Sequence, residues 1–576
     1  MTRGGDLWRG SWRDSWRDPA ALLLLAGCLA GLAHLFLTPP FEGFDETAHY
    51  SYAQLVADKG RIPVYGRAVF GEDVVDYMAT APVPPSASVN PADPAASLSY
   101  AEAFASPERE GAARKTINDA PPVPRAYAPA GPLNWQAQHP PLAYLLLAPV
   151  YQATKGLSWK THFFALRLFS FLVAMIGLAV GVAATRAYLA GTGDRSAYAV
   201  YAPAIMAAWP FYAPMFFPEM ARLGNDSFCL LFAGLAWAAL LSFLRAGDRA
   251  RLKWGVLLGL ALGMGALTKA FFLPVAAGVG LFLVCREVLR LEAGGRGDLR
   301  RLSRALLPVA AMALVFVAIA VWWYAGKLAE TGALSGANDL IALGKKGDAG
   351  ALIAANFSLL QFFRRMFSVY LTFIWAGTWS VAKLPYNAVL MLGLAFGFVM
   401  TRYLITLAGE RRREAAAFAP VFIVGPVVAG LAWHVITQFA MGAARAGTPG
   451  WYLHIFAGPL GFAYAIGAAA LLGKSAGRIA LALALAYTLG FAAVAELHQL
   501  QVFAGCLARV GDLRNYQPAA CYGDAAEIWR RLEVVANPAM GAAAFALAAA
   551  AFSYGAYRMR SLIRPKPLCA GRSRVP

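Results

Sequence analysis

What most constrains this chain is the recurrence of apolar segments about 20 residues long, parted by short clusters of Lys and Arg. A helix of that length crosses the hydrocarbon layer, where only helices and closed barrels satisfy their backbone groups. Segments at 20–37, 166–187, 197–214, 226–244, 254–268, 271–285, 305–324, 385–404, 416–438, 452–472, 478–496 and 538–557 meet the requirement. They predict an all-α polytopic integral membrane protein of about 12 transmembrane helices. Only 14% of the residues are charged and mean hydropathy is +0.52, far from a soluble domain's roughly 25% charged residues.

Basic residues in short loops set the topology. Arg3, Arg9, Arg13 and Arg17 place the N-terminus inside. Arg186/Arg195, Arg245 to Lys253, Arg286 to Arg304, Arg411 to Arg413, Lys474/Arg478 and Arg558 to Arg564 then all fall on the inner side. The pattern holds only if 362–380 does not cross, so that segment is expected as an outer interfacial or re-entrant helix. The net charge of +19 is thus that of cytoplasmic loops, and nucleic acid is not an expected partner. No small-residue cleavage motif follows the first apolar run, which reads as an uncleaved span rather than a signal peptide.

Two outer segments are long. Residues 38–160 are rich in Pro, Ala and Ser and turn apolar at "HPPLAYLLLAPVY" (139–151), too short for a span and expected along the membrane surface. The other, 497–537, carries Cys506 and Cys521, a candidate disulfide if the outer side is oxidising.

The first outer segment opens with "FEGFDETAHY" (41–50). Glu42, Asp45, Glu46 and His49 are spaced i, i+3, i+4, i+7, which on a helix puts all four on one face. Like charges so spaced repel, so a structural sequence gains little from collecting them; the plainer reading is a solvated helix N-terminus after Pro39-Pro40. The chemical reading is a carboxylate general base, or Asp45/His49 or Glu42/His49 as metal ligands; residue type alone does not choose.

Several motifs together resemble the GT-C superfamily of membrane glycosyltransferases, including protein O-mannosyltransferases and the aminoarabinose transferase acting on lipid A. They are the acidic pair Asp45-Glu46 after the first span, a long outer loop ending in "HPPL", Arg167 opening the second span, "ARLGNDSFCLLF" (221–232), and Lys269 in a Thr-Lys pair. "GWYLHIFAGPLGFAY" (450–464) is a weaker match, with Trp451 and His454 where the family often has Arg and Pro.

The resemblance implies a GT-C-like fold and transfer of a sugar from a polyprenyl-phosphate-linked donor to an envelope lipid, glycan or protein at the outer face. It implies Asp45 as base with Glu46 beside it. Glu42, His49, Asp226 and His139 are acceptor or metal candidates. The relatives differ in needing a divalent cation such as Mg or Mn, so metal dependence stays open.

The leaving phosphate calls for fixed positive charge, and Lys269, Arg167, Arg222 and Arg445 are the candidates to bind it. Each also reads as an interfacial anchor whose stem snorkels to the headgroups.

The expected organisation is a cytoplasmic 1–19, a catalytic membrane module 20–404 that includes the loop 38–160, and C-terminal helices 405–576 with the loop 497–537. The expected location is the cytoplasmic membrane of a bacterium. A secondary transporter, a lipid-linked glycan flippase and a glycan polymerase or ligase are the alternatives. Transporters concentrate charge near the midplane, often in repeated halves, whereas these acids gather at outer span ends.

Overall fold

The computed structural model describes residues 17–84, 98–193, 197–293, 299–336, 341, 343–345, 347–380, 384–409, 415–440, 448–509 and 516–563. Arg3, Arg9, Arg13, Arg411 to Arg413 and Arg445 lie outside them.

The bundle begins with α1 (Pro19–Leu37), capped by Asp18, whose side chain accepts from Ala20 N at 3.1 Å, with Pro at the first turn. Pro39 and Pro40 stop it. An outer cap follows: α2 (Glu46–Lys59), an antiparallel ribbon of β1 (Val69–Gly71) and β2 (Pro129–Leu133), a 3-10 turn at Trp135–Gln138, and α3 (Leu142–Thr154). The segment expected along the membrane surface is thus the 13-residue α3, which packs on α2 and on the next helix.

The chain then runs through α4 (Trp159–Thr192), α5 (Ala197–Ala207), α6 (Asp226–Arg245), α7 (Asp248–Ala266), α8 (Phe272–Ala293) and α9 (Leu299–Thr331). It continues with α10 (Leu359–Ile374), α11 (Tyr386–Ala408), α12 (Ala415–Ala440), α13 (Ala457–Leu472), α14 (Ser475–Phe503) and α15 (Pro538–Ile563). Ten helices among the described residues are long and apolar enough to cross a membrane. The other two expected spans take different forms. Residues 197–214 break after α5 into the short helix Trp209–Tyr212, and 254–268 is the end of α7, whose first turns carry Arg249, Arg251 and Lys253. The segment 362–380, expected not to cross, contains the 16-residue α10, which stops at Ile374.

Two apolar cores result. The larger fills the bundle, where α6 packs on α4 and α1 on α15. Gly177 of α4 and Gly234 of α6 face each other; a Cβ on Gly234 would stand 2.2 Å from Gly177 O, so only glycine permits this approach. The smaller core lies in the cap and joins Phe41, Tyr50 and Phe163 to Phe503, Cys506 and Cys521. Cys506 and Cys521 are disulfide-bonded beside the ribbon of β3 (Leu507–Arg509) and β4 (Tyr516–Pro518). The two long outer segments are therefore one packed unit.

A candidate acid–base centre at the end of the bundle

The acidic stretch does not form one helical face. Phe41 and Asp45 both have positive φ, 62° and 60°, and the helix starts only at Glu46. Asp tolerates this conformation; a bulky Phe does not adopt it readily. Phe41 is held there by buried rings of Tyr50, Tyr77, Trp159 and Phe163. The four side chains consequently point in four directions.

Glu42 points toward the chain that follows α10. It accepts from Thr378 Oγ1 (2.7 Å), Ser380 N (2.6 Å), Ser380 Oγ (3.1 Å) and Tyr100 OH (2.9 Å). Burial nevertheless pushes its carboxyl up to about 7. With every oxygen engaged, it acts as a tie between three segments.

Glu46 is fully buried against Arg167, whose Nε lies 2.7 Å from Oε1. Glu46 also accepts from Gly43 N (2.9 Å) and Leu223 N (2.8 Å). Arg167 donates further to Thr38 O and Pro39 O, and lies over the Phe163 ring. The pair anchors the end of α1, the start of α2 and α4 to one another.

Asp45, by contrast, is partly exposed. Trp135 Nε1 donates to its Oδ1 at 3.1 Å. Burial raises its carboxyl above the usual 3.8, and nearby Arg222 and Lys269 pull it back. Trp135 was not singled out in the sequence. The local signal is Asn134, which caps the 3-10 turn by accepting from Gln136 N and ties it to α2 by donating to Ala48 O.

His49 pairs through Nδ1 with Tyr144 OH at 2.9 Å. Burial, then Arg222, holds it well below its usual 6.5. His139 is held down to about 3 by burial and by Lys269. Both are neutral imidazoles at ordinary pH.

Beneath Asp45 lies a charged cluster. Asp226, the first residue of α6, accepts from Lys269 Nζ at 2.6 Å and from Arg222 Nη2 at 2.8 Å. Arg222 also grips Glu219 through Nε (3.1 Å) and Nη2 (2.8 Å), and donates from Nη1 to Phe44 O. Glu219 is fully buried in this cluster, and burial pushes it up to about 7 against this guanidinium. A Cβ on Gly224 would stand 2.7 Å from Arg222 Nη1, so the glycine leaves room for the guanidinium. Lys269 Nζ lies 4.1 Å from the Tyr452 ring centroid. Phe44 stacks on Trp451 with centroids 4.4 Å apart.

Of the sequence candidates, the structure gathers Asp45, His49, His139, Arg222, Asp226 and Lys269. It sets Glu42 and the Glu46–Arg167 pair apart as fixed ties. Among the described residues no group of three or more His, Cys, Asp and Glu side chains is placed to hold a metal ion, and both oxygens of Asp226 are engaged by cations.

Helices and centre together define a multi-pass membrane protein with an acid–base cluster where its bundle meets its cap. No protein-family model matches the chain, and no curated protein sequence does. Among solved structures it is similar to ArnT from Cupriavidus metallidurans in the apo state, at 13% identity and TM-score 0.43 over 93% of this chain and 76% of that one. The same protein bound to undecaprenyl phosphate gives 14% and 0.42 over 93% and 77%. The oligosaccharyltransferase of Archaeoglobus fulgidus in the apo form gives 14% and 0.38 over 95% and 57%.

Proposed function

We propose that the protein is a GT-C-like glycosyltransferase that moves a sugar from a polyprenyl-phosphate-linked donor to an envelope acceptor at the outer face of the cytoplasmic membrane. The observation that carries this reading is a partly exposed carboxylate, Asp45, set beside two cations, Arg222 and Lys269, that Asp226 holds in place.

In this reading the acceptor hydroxyl oxygen forms a bond to the anomeric carbon, and the bond from that carbon to the phosphate oxygen breaks. The electron pair leaves with the polyprenyl phosphate and the hydroxyl proton passes to Asp45. Trp135 occupies Oδ1, which leaves Oδ2 to take the proton.

Lys269 has three donors and gives one to Asp226; Arg222 has five and gives four to protein. The remaining N–H groups are available to the phosphate as its charge develops, and they are already oriented before the reaction. His49 and His139, being neutral, add no competing charge.

The test is transfer of labelled sugar from polyprenyl-phosphate donors into envelope lipid, glycan and protein fractions of a deletion strain carrying wild type or Asp45→Asn. Label restored by wild type alone supports the reading and names the acceptor fraction. Equal label with both removes Asp45 as base, and none with either turns the search to a transporter.

A further inference from the structure

A second feature lies outside this centre. Between α1, α14 and α15 is a cavity of about 290 Å³. A single water needs only about 10–15 Å³ on this scale, so the space is more than a packing defect in an interior otherwise close to crystal density.

Its lining is apolar except for His34, Glu496 and Ser553. A cavity walled by Ala, Leu and Phe stays dry in water. Here its walls are membrane-spanning helices, so the available filling is hydrocarbon. From Phe545 to Ser553 the wall runs eight helical steps, about 12 Å.

The hydrogen-bonded His34 and Glu496 mark one end. His34 Nδ1 stands 3.1 Å from Glu496 Oε2 and 3.3 Å from Oε1. Thr38 Oγ1 donates to His34 O at 2.7 Å. The His34 side chain is 8% exposed and that of Glu496 26%. A carboxylate accepts at about four lone-pair positions; His34 brings a single nitrogen to the two oxygens of Glu496, and Glu496 lines the cavity. Ionisable side chains within spans face cavities or bundle interiors and mark binding sites or pathways. Val502 and Phe503, six and seven residues further along α14, already belong to the cap core, so Glu496 stands where bundle gives way to cap.

We propose that this cavity binds a membrane lipid. One hydrocarbon chain fills the space between α1, α14 and α15, and an ammonium head group docks on the Glu496 carboxylate. The site is one residue along the chain from the acid–base centre: Pro218 lines the cavity and Glu219 holds Arg222. The proposal does not depend on the transferase reading.

The test uses the full chain in lipid nanodiscs with phospholipids that carry a photoactivatable group in one acyl chain, headed by ethanolamine or by choline. Both have the same chain; only ethanolamine donates N–H bonds. Adducts mapped by mass spectrometry are expected to concentrate on peptides containing Ala492 and Phe545, several-fold more with ethanolamine. Ala492→Phe, one helical turn from Glu496 on the same wall, fills the cavity and removes them at an unchanged unfolding temperature. Glu496→Gln retains the adducts and equalises the two heads. Adducts spread evenly over the lipid-facing helices, the same yield in Ala492→Phe, or equal yields for both heads in wild type would each overturn the proposal.

Discussion

Lys269 Nζ stands 2.6 Å from Asp226 Oδ1, although the two residues lie 43 apart in sequence, Asp226 opening α6 and Lys269 in the turn between α7 and α8. Asp226 thereby fixes a cation whose other donors are uncommitted to it. Lys269→Met leaves Asp226 with Arg222 as partner and removes the phosphate contact proposed for Lys269. The expected outcome is a rate about 10²–10³-fold lower, the usual effect of deleting one preorganised donor, and weaker inhibition by free polyprenyl phosphate. Steady-state kinetics with purified protein in nanodiscs check both. Unchanged inhibition would separate Lys269 from the donor.

Asp45→Asn keeps the size of the side chain and an acceptor for Trp135 Nε1, and removes the base. The rate is expected to fall about 10²–10⁴-fold, the range contributed by a positioned general base. The unfolding temperature is expected to stay within error or rise, because burial disfavours the charge. A parallel fall in stability and rate would mean that Asp45 supports the fold instead.

The pH profile follows from the same burial. Asp45 acts only when ionised, and its carboxyl titrates above the usual 3.8. Activity is therefore lost as pH falls through that raised value, earlier than for a free aspartate. Glu219 and Glu42, both pushed up to about 7, are also in range; Glu219→Gln removes the step of the first and leaves the Asp45 limb. His49 and His139 sit well below 6.5 and contribute no step there. A profile flat from 7 down to 3.8 would refute Asp45 as base.

The Glu46–Arg167 pair makes the opposite prediction. Both side chains are fully buried, and removing one partner leaves the other charge without compensation. Glu46→Ala is expected to cost about 3–5 kcal/mol, read as a markedly lower unfolding temperature. Surviving protein below that temperature is expected to keep a pH limb like that of wild type. Loss of activity with unchanged stability would return Glu46 to the chemistry.

The bundle and the residues of the centre were legible because spans and loop charges follow from hydrocarbon thickness and from the inside bias of Lys and Arg. Acids and cations at outer span ends stand out against such a background, which is why Asp45, Arg222, Asp226 and Lys269 were found. The roles of Glu42 and Glu46 were not legible. Their spacing suggested one helical face, and two positive-φ residues, Phe41 and Asp45, turn them apart. That turn depends on distant rings and on Arg167, which no local pattern encodes. Trp135 was missed for the same reason: it lies in an irregular loop and reaches Asp45 only through the packing of the cap. The break of 197–214 after Ala207 was not legible either, because an apolar run does not reveal where a helix breaks.

The last prediction concerns the cap. Cys506 and Cys521, 15 residues apart, are bonded to each other within the smaller core. Gly505, beside this bond, has φ +68° and lies against the Tyr100 backbone, where a Cβ would come within 2.8 Å of Tyr100 O. Tyr100 in turn donates to Glu42. The bond is internal to the 497–537 segment, and it is the packing of Gly505 on Tyr100 that joins this segment to the loop that carries Asp45. Closing a loop of this size stabilises by about 3 kcal/mol, chiefly by restricting the unfolded chain. Replacing both cysteines with Ser is expected to lower the unfolding temperature and to hasten protease cleavage between the two positions. Because the bond does not touch Asp45, Lys269 or Arg222, transfer measured well below the new unfolding temperature is expected to be within about twofold of wild type, a change of under 1 kcal/mol. A rate loss of tenfold or more in protein that remains folded would show instead that the disulfide positions the centre.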